Sequence, residues 1–266
     1  MHIFDPYELT GLKPNHLGFG GLDRGAELHE DKDCIQKLLK SEETLIVPVW
    51  RKFNLFSKIG GKEEKPLPTF LPVDEASSLI SISDHQVFLG KQKLGSKTPA
   101  YLAIDISALD EEDSENRLAE WGSFKDLRYI SPLIDGVEGS ILAYARAIIY
   151  WHSRNQFCGV CGNQTKPLKC GHQRDCTNRE CDSSHFPRTD SAVIVLVHDL
   201  DRALMGRQHF WPEGMYSLLA GYVEPGETIE HAVAREVYEE SGIIVKDIKY
   251  LHSQPCLLYT SDAADE

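Results

Sequence analysis

Four cysteines constrain what this chain can fold into more than any other feature. Cys158-Gly-Val-Cys161 sets two thiols two residues apart with Gly162 directly behind, and after fourteen residues Cys176 and Cys181 follow, separated by four. Tetrahedral zinc needs four soft ligands delivered by two short turns, and this spacing delivers them. Four thiolates leave no open coordination position, so such a metal is structural rather than catalytic. Cys170 lies between the pairs with His172 close behind, and it stands as the alternative fourth ligand. A redox pair at Cys158 and Cys161 is the competing reading, and the second pair argues against it. Residues 154–185 are therefore read as a zinc ribbon. A nucleic-acid role for the ribbon would have to draw on Lys166, Lys169, Arg174 and Arg179, the few basic residues around it.

At 266 residues the chain suits two domains better than one. Apolar residues make up 41% and charged residues 26%, which supplies ordinary core material. The net charge of −13 opposes bulk adhesion to a nucleic-acid backbone or an anionic membrane, though not the binding of one nucleotide in a local pocket. No apolar run is long enough to span a bilayer, so no membrane role is expected. The first residues, Met1 to Asp5, lack the basic-then-apolar layout of a secretory signal. With four of seven cysteines in ligand spacing, the expected setting is intracellular and reducing, with a bound metal instead of a disulfide framework. The cytoplasm is the first reading, peroxisome and mitochondrion the alternatives.

Upstream of the cysteines, residues 1–30 are rich in turn formers (Pro14, Gly18, Gly20, Gly21) and end in a short polar helical stretch. Leu45 to Phe56 reads as strand around a basic turn, and Lys58–Pro68 as a polar loop. Further strands are predicted at Leu79–Ile82, Gln86–Leu89 and Tyr101–Ile106, and a solvated acidic loop at Leu109–Asn116. Gly139 to His152 is predicted as a helix from the spacing of Ile141, Leu142, Ala145, Ile148 and Ile149. Residues 1–153 thus form a mixed α/β module that by itself says little about chemistry.

The most informative segment is Gly221–Ile243. Pro225-Gly226 makes a turn, Thr228 can cap a helix and Gly242 can end it. At about 100° per residue, Ile229, Ala232 and Val233 share a face with Glu236, Glu239 and Glu240. A solvated acidic face should lie opposite the apolar stripe, and this one does not. The three carboxylates also crowd the last two turns, where the helix dipole disfavours negative charge and like charges at i,i+3 and i,i+4 repel. Hard oxygens grouped in this way suit Mg²⁺ or Mn²⁺. Arg235 is placed to orient a glutamate through a salt bridge, with Glu227 as its partner.

These residues resemble the Nudix box: Gly221, Glu227, Arg235, Glu236, Glu239, Glu240 and Gly242 occupy its fixed positions, with Val237 and Ile243 at its aliphatic ones. The resemblance implies an α+β protein in which a mixed α/β domain and a zinc ribbon precede a Nudix αβα sandwich. It also implies a loop-helix-loop that holds metal against a diphosphate, with Glu236 and Glu240 as ligands, Glu239 assisting, and the Ala220 carbonyl as a backbone ligand. A ribbon just upstream of the box is similar to the NADH pyrophosphatase subfamily. So are Phe157–Gly162 behind a helix ending Trp151-His152, His185–Asp190, Leu204–Gln208, and the scattered matches Leu22–Arg24, Pro48–Arg51 and Asp126–Arg128. That subfamily implies release of NMNH and AMP from NADH, in some members removal of NAD caps from RNA, one structural zinc per chain and a homodimer. It further implies that Phe186 and Tyr222 lie near substrate, with core packing as the alternative for each, and that Gln254 contributes from the Ser253-Gln254-Pro255 motif.

The match ends at Pro255. The Nudix domain is expected over residues 186–255, and residues 256–266 form a tail unlike the subfamily, so the sandwich is expected to be incomplete at its C-terminal end, and with it activity and solubility reduced. The competing functions are hydrolysis of another nucleoside diphosphate, such as ADP-ribose or an RNA cap, and nucleotide sensing without turnover. Three mutually repelling carboxylates argue against the sensor.

Overall fold

The computed structural model describes residues 15–18, 21–58 and 65–255. The expected turn residues Pro14 and Gly20 and the tail 256–266 lie outside them. The chain divides into two compact units, residues 1–187 and 188–266.

Among its described residues the first unit has a 3-10 turn at Ala26–Glu30 and helix α1, Cys34–Leu38. It is built on a six-stranded sheet comprising β1 (Thr44–Trp50), β2 (Phe53–Phe56), β3 (Leu71–Pro72), β4 (Gln86–Lys91), β5 (Ala100–Asp105) and β6 (Ser123–Lys125). The strand order is β4-β5-β1-β2-β6, with β3 also paired to β1. β1 runs parallel to β5, from Thr44 opposite Ala100 to Val49 opposite Asp105. Being central, β1 is covered on both faces, which is why Leu45 to Trp50 reads as a continuous apolar run without alternation. One face packs Ile46, Leu55, Phe88, Leu102 and Ile104 into the main core.

Two segments depart from the expected elements. Ser77–Ser81 forms helix α2 where a strand was expected at Leu79–Ile82; one helical turn buries Leu79 in the core, and packing overrides the β preference of Leu-Ile. The acidic stretch after Leu109 forms helix α3, Glu111–Leu118, where a solvated loop was expected. Asp110 caps it by accepting from the Asp113 N–H at 2.7 Å, three acidic residues sit in the favourable first turn, and Ser114 and Leu118 face inward. A short helix α4, Leu127–Ile130, leads to helix α5, Gly136–Arg154, which starts three residues earlier than expected because Asp135 caps the Val137 and Glu138 amides.

The ribbon closes this unit as an antiparallel three-stranded sheet: β7 (Thr165–Leu168), β8 (Gln173–Cys176) and β9 (Ser184–His185). Arg174, buried at 4% exposure, fastens the ribbon to α5. Its guanidinium donates to Thr165 Oγ1 at 2.7 Å, the Thr165 carbonyl at 3.0 Å and His152 Nδ1 at 2.8 Å. Because guanidinium can only donate, Nδ1 must accept. The proton therefore sits on His152 Nε2, which donates to the Gly171 carbonyl at 2.7 Å. Burial first of all, with the positive charge of Arg174 adding to it, pushes the His152 pKa down to about 3.

The second unit pairs β10 (Ala192–Val195) with β13 (Leu219–Tyr222), and β11 (His198–Asp199) with β12 (Arg202–Ala203). Helix α6, Ile229–Ser241, packs on the β10–β13 pair, where Ala232 and Val233 meet Val193. The two units together make an α+β protein. Among the described residues, no helix is long and apolar enough to cross a membrane.

Candidate active site and metal centre

The box segment folds as its residues dictate. Thr228 Oγ1 accepts the His231 N–H at 3.3 Å to cap α6, and Gly242, at φ 71°, ends it in the left-handed conformation with its N–H on the Tyr238 carbonyl. The centre of the site is Arg235. Its Nε and Nη2 grip Glu227 in a two-point contact at 2.9 and 3.0 Å. Nη1 reaches Glu236 at 2.8 Å and Glu239 at 3.2 Å, and Nη2 also donates to the Tyr222 carbonyl at 2.9 Å. One guanidinium thus ties the pre-helix loop, strand β13 and the acidic face of α6 together. Two-point charged contacts of this kind fix direction as well as distance.

Glu236 lies against the strand beneath it. A Cβ placed on Gly221 would stand 1.9 Å from the Glu236 carboxyl carbon, so any larger residue there would push the carboxylate from this position. The Arg235 hydrogen bond draws the Glu227 carboxyl below its ordinary range. Burial, and then the negative charge of Glu236, raises the carboxyl of Glu240. Glu236 is 14% exposed and Glu239 58%, so the first is fixed and the second turned to solvent. Ala220 is buried on β13 opposite Ile194 and directly precedes Gly221. Glu236, Glu239 and Glu240 therefore share one end of one helix, but they do not converge on a single point. Arg235 engages the first two, and repulsion opposes closer approach of Glu240 to Glu236. Their hard oxygens fit a divalent cation of the Mg²⁺ type in chemistry.

Convergence is found instead in the ribbon. Cys158, Cys161, Cys176 and Cys181 bring their sulfurs within 4.8 Å of one another, the one such group of three or more possible ligands among the described residues. Cys161 and Cys176 Sγ stand 3.4 Å apart, Cys158 and Cys181 3.8 Å. The sulfurs are met by donors suited to thiolates: the Val160 N–H on Cys158, the Asn178 N–H on Cys176 and the Asn163 side-chain amide on Cys161, each at 3.4 Å. The Asn163 donors pull the Cys161 thiol down to about 6, whereas burial pushes Cys176 up to about 12. A bound zinc would take all four sulfurs as thiolates. Cys170 is not in the group; it is joined to Cys34 in a disulfide, where none was expected.

Of the other expected site residues, Phe186 lies in the first unit, 58% exposed, and Tyr222 is half-buried on β13 in the second. Gln254, also in the second unit, is exposed. The packing role of Gly221 and the contact of Arg235 with Tyr222 were not foreseen from sequence, since each needs the register of β13 against α6.

A NUDIX domain profile matches residues 187–264, and a profile for the NADH pyrophosphatase-like rudimentary NUDIX domain matches residues 43–151. The chain is 46% identical over 131 residues to the NAD-capped RNA hydrolase NudC of Mycobacterium bovis, a stretch covering 49% of this chain and 41% of that protein. It is 47% identical over 120 residues to Nudix hydrolase 19, chloroplastic, of Arabidopsis thaliana, covering 44% of this chain and 27% of the relative. With the NAD-capped RNA hydrolase NUDT12 of Macaca fascicularis it shares 46% identity over 126 residues, again 44% and 27% of the two chains. The matched stretch spans less than half the length of each of these curated relatives. The first unit thus matches the NADH pyrophosphatase-like rudimentary NUDIX domain and the second, which carries the box, matches the NUDIX domain.

Proposed function

We propose that this protein hydrolyses the diphosphate bond of NADH or NAD⁺, releasing NMN(H) and AMP. The observation that carries the reading is the Arg235 hub, which fixes Glu227, Glu236 and Glu239, with the Glu236 carboxylate in the space a side chain on Gly221 would take. Such an arrangement spends helix stability on charge at the dipole's negative end, and it is explained by a bound cation facing an anionic substrate. Mg²⁺ or Mn²⁺, when bound, would neutralise developing charge on the diphosphate. Glu236 and Glu240 would hold it, with Glu239 and the Ala220 carbonyl completing the protein's share. Glu236 is held in place by Arg235 and the glycine gap, so it meets the cation without reorganising. Tyr222 offers a half-exposed ring for stacking on a base or nicotinamide, and Phe186 and Gln254 are assigned to substrate contact. Zinc in the ribbon is structural, a homodimer is the assembly, and the domains run 1–153, 154–185 and 186–255, with 256–266 as the tail.

A second substrate is favoured by the names of two relatives, which are NAD-capped RNA hydrolases. The bond broken would be the same one, at an RNA 5′ end. The net charge of −13 places the free dinucleotide first, because an RNA tail would be repelled by the protein as a whole. Product analysis with NADH and with a short NAD-capped RNA, side by side in Mn²⁺, tests both. Faster cleavage of NADH at low salt is expected. A capped RNA cleaved faster at low salt would reverse the order, and cleavage of ADP-ribose alone would replace both.

A further inference from the structure

The described residues hold two separate populations of cysteine. Four gather around one point in the ribbon, as described; Cys34 of α1 and Cys170 of the ribbon's β7–β8 turn, 136 positions apart in sequence, are joined to each other. Their Cα atoms are 6.1 Å apart, within the ordinary span of a disulfide, and the two residues are 3% and 7% exposed. The turn that carries Cys170 is conformationally costly: Lys169 and Cys170 both lie at φ 52° and Gly171 at 95°, a left-handed run in which two members are not glycine. That run is pinned from several sides. Lys169 pairs with Glu30, His152 donates to the Gly171 carbonyl, and the next residue, His172, donates to the Phe88 carbonyl at 2.7 Å and stacks on His29. Cys170 also has a second partner within reach: the Leu28 carbonyl lies 3.1 Å from its Sγ. A thiol there can donate, so in the reduced state Cys170 keeps a hydrogen-bond partner.

We propose that Cys34 and Cys170 form a reversible thiol–disulfide exchange site, taking low-molecular-weight disulfides as its oxidant, that latches the β7–β8 turn of the ribbon to α1. One cysteine, as thiolate, attacks the small disulfide, forming a mixed disulfide and expelling one thiolate, which takes up the lost proton. The second cysteine, deprotonated in turn, attacks the mixed disulfide, closes the internal bond and expels the second small thiol. Two S–H bonds are lost, one S–S bond is formed and one small disulfide becomes two thiols. Because both sulfurs are buried, exchange waits on local opening of the left-handed turn and is slow. In the reduced state the turn keeps its ion pair and histidine bonds but loses its covalent tie.

The test uses the full chain with its zinc content measured throughout. The protein is equilibrated across oxidised-to-reduced glutathione ratios, quenched in acid, denatured, alkylated and mapped by peptide mass spectrometry. At the oxidising end Cys34 and Cys170 should be protected as one linked pair while zinc is retained, and at the reducing end both should be labelled. Hydrogen exchange in residues 165–176 should be several-fold slower in the oxidised form. The variants C34S and C170S should each abolish both the linked pair and the exchange difference; two variants guard against one failing to fold. Labelling of Cys34 and Cys170 at every ratio would overturn the proposal. So would linkage of either to Cys256 or to a cysteine of the cluster, or equal exchange rates in the two forms.

Discussion

Helices α5 and α6 show how two related units put a similar element to opposite uses. Each begins with a side-chain cap, Asp135 in one and Thr228 in the other, and each packs on strands of its own unit. In α5, eleven of nineteen residues are buried and the last turn carries His152 and Arg154, with Arg154 complementing the helix dipole. In α6, three of thirteen are buried, and the end of the helix carries Glu236, Glu239 and Glu240 with no basic residue in its last turn. The helix of the rudimentary domain is built for packing. That of the NUDIX domain gives up packing and dipole complementarity to hold carboxylates at one end, and it relies on Arg235 to position Glu236 and Glu239. Stability and chemistry are thus separated between units, and substitutions should show it.

The largest effect is expected at Glu240. Glu240→Gln should lower turnover about 100-fold or more while the melting temperature holds or rises slightly, since removing a charge there relieves repulsion. Activity assays beside thermal melts check this, and near-normal turnover would mean the cation is held elsewhere. Gly221→Ala should follow, with a loss of about 10–100-fold, because the added methyl displaces the Glu236 carboxylate that Arg235 positions. In α5 the pattern should invert. Leu142→Ala, at a fully buried position, should cost about 2–5 kcal/mol in denaturant unfolding and leave the turnover of the remaining folded protein intact.

A smaller effect is expected from pH. The folded-state pKa of His152 is depressed to about 3 and that of His172 to about 4, so the unfolded chain binds more protons below pH 6.5. Their contribution is complete above pH 6.5 and is lost as pH falls towards 4 and then 3, on the order of 1 kcal/mol per pH unit for each residue. His152→Gln should flatten that slope in pH-dependent melts of the first unit. The smallest expected effect is at Cys170, where Ser should leave bound zinc unchanged by metal analysis, since Cys170 lies outside the four-cysteine group.

How much could be read in advance follows the range of the signals. The ribbon ligands and the box lie within spans of about two dozen residues, and local spacing fixes their geometry, so both were visible. The helix at Glu111–Leu118 looks like a solvated loop from its charge alone, although Asp110 and its acidic first turn are a cap signal. The helix at Ser77–Ser81 was hidden by β-favouring residues that the core holds in a turn. The Cys34–Cys170 link, the bond from Arg174 to His152 and the fit of Glu236 against Gly221 depend on tertiary register, which no local pattern encodes.

The central claim is that the carboxylate face of α6 supports hydrolysis of a dinucleotide diphosphate. Incubating the protein with NADH and Mn²⁺ and separating the products tests it most directly, with the Glu236→Gln protein as control. NMNH and AMP should accumulate in equal amounts with the wild-type chain and stay near background with the variant. Unchanged NADH from a folded, zinc-loaded wild-type protein, or equal product from the variant, would contradict the account.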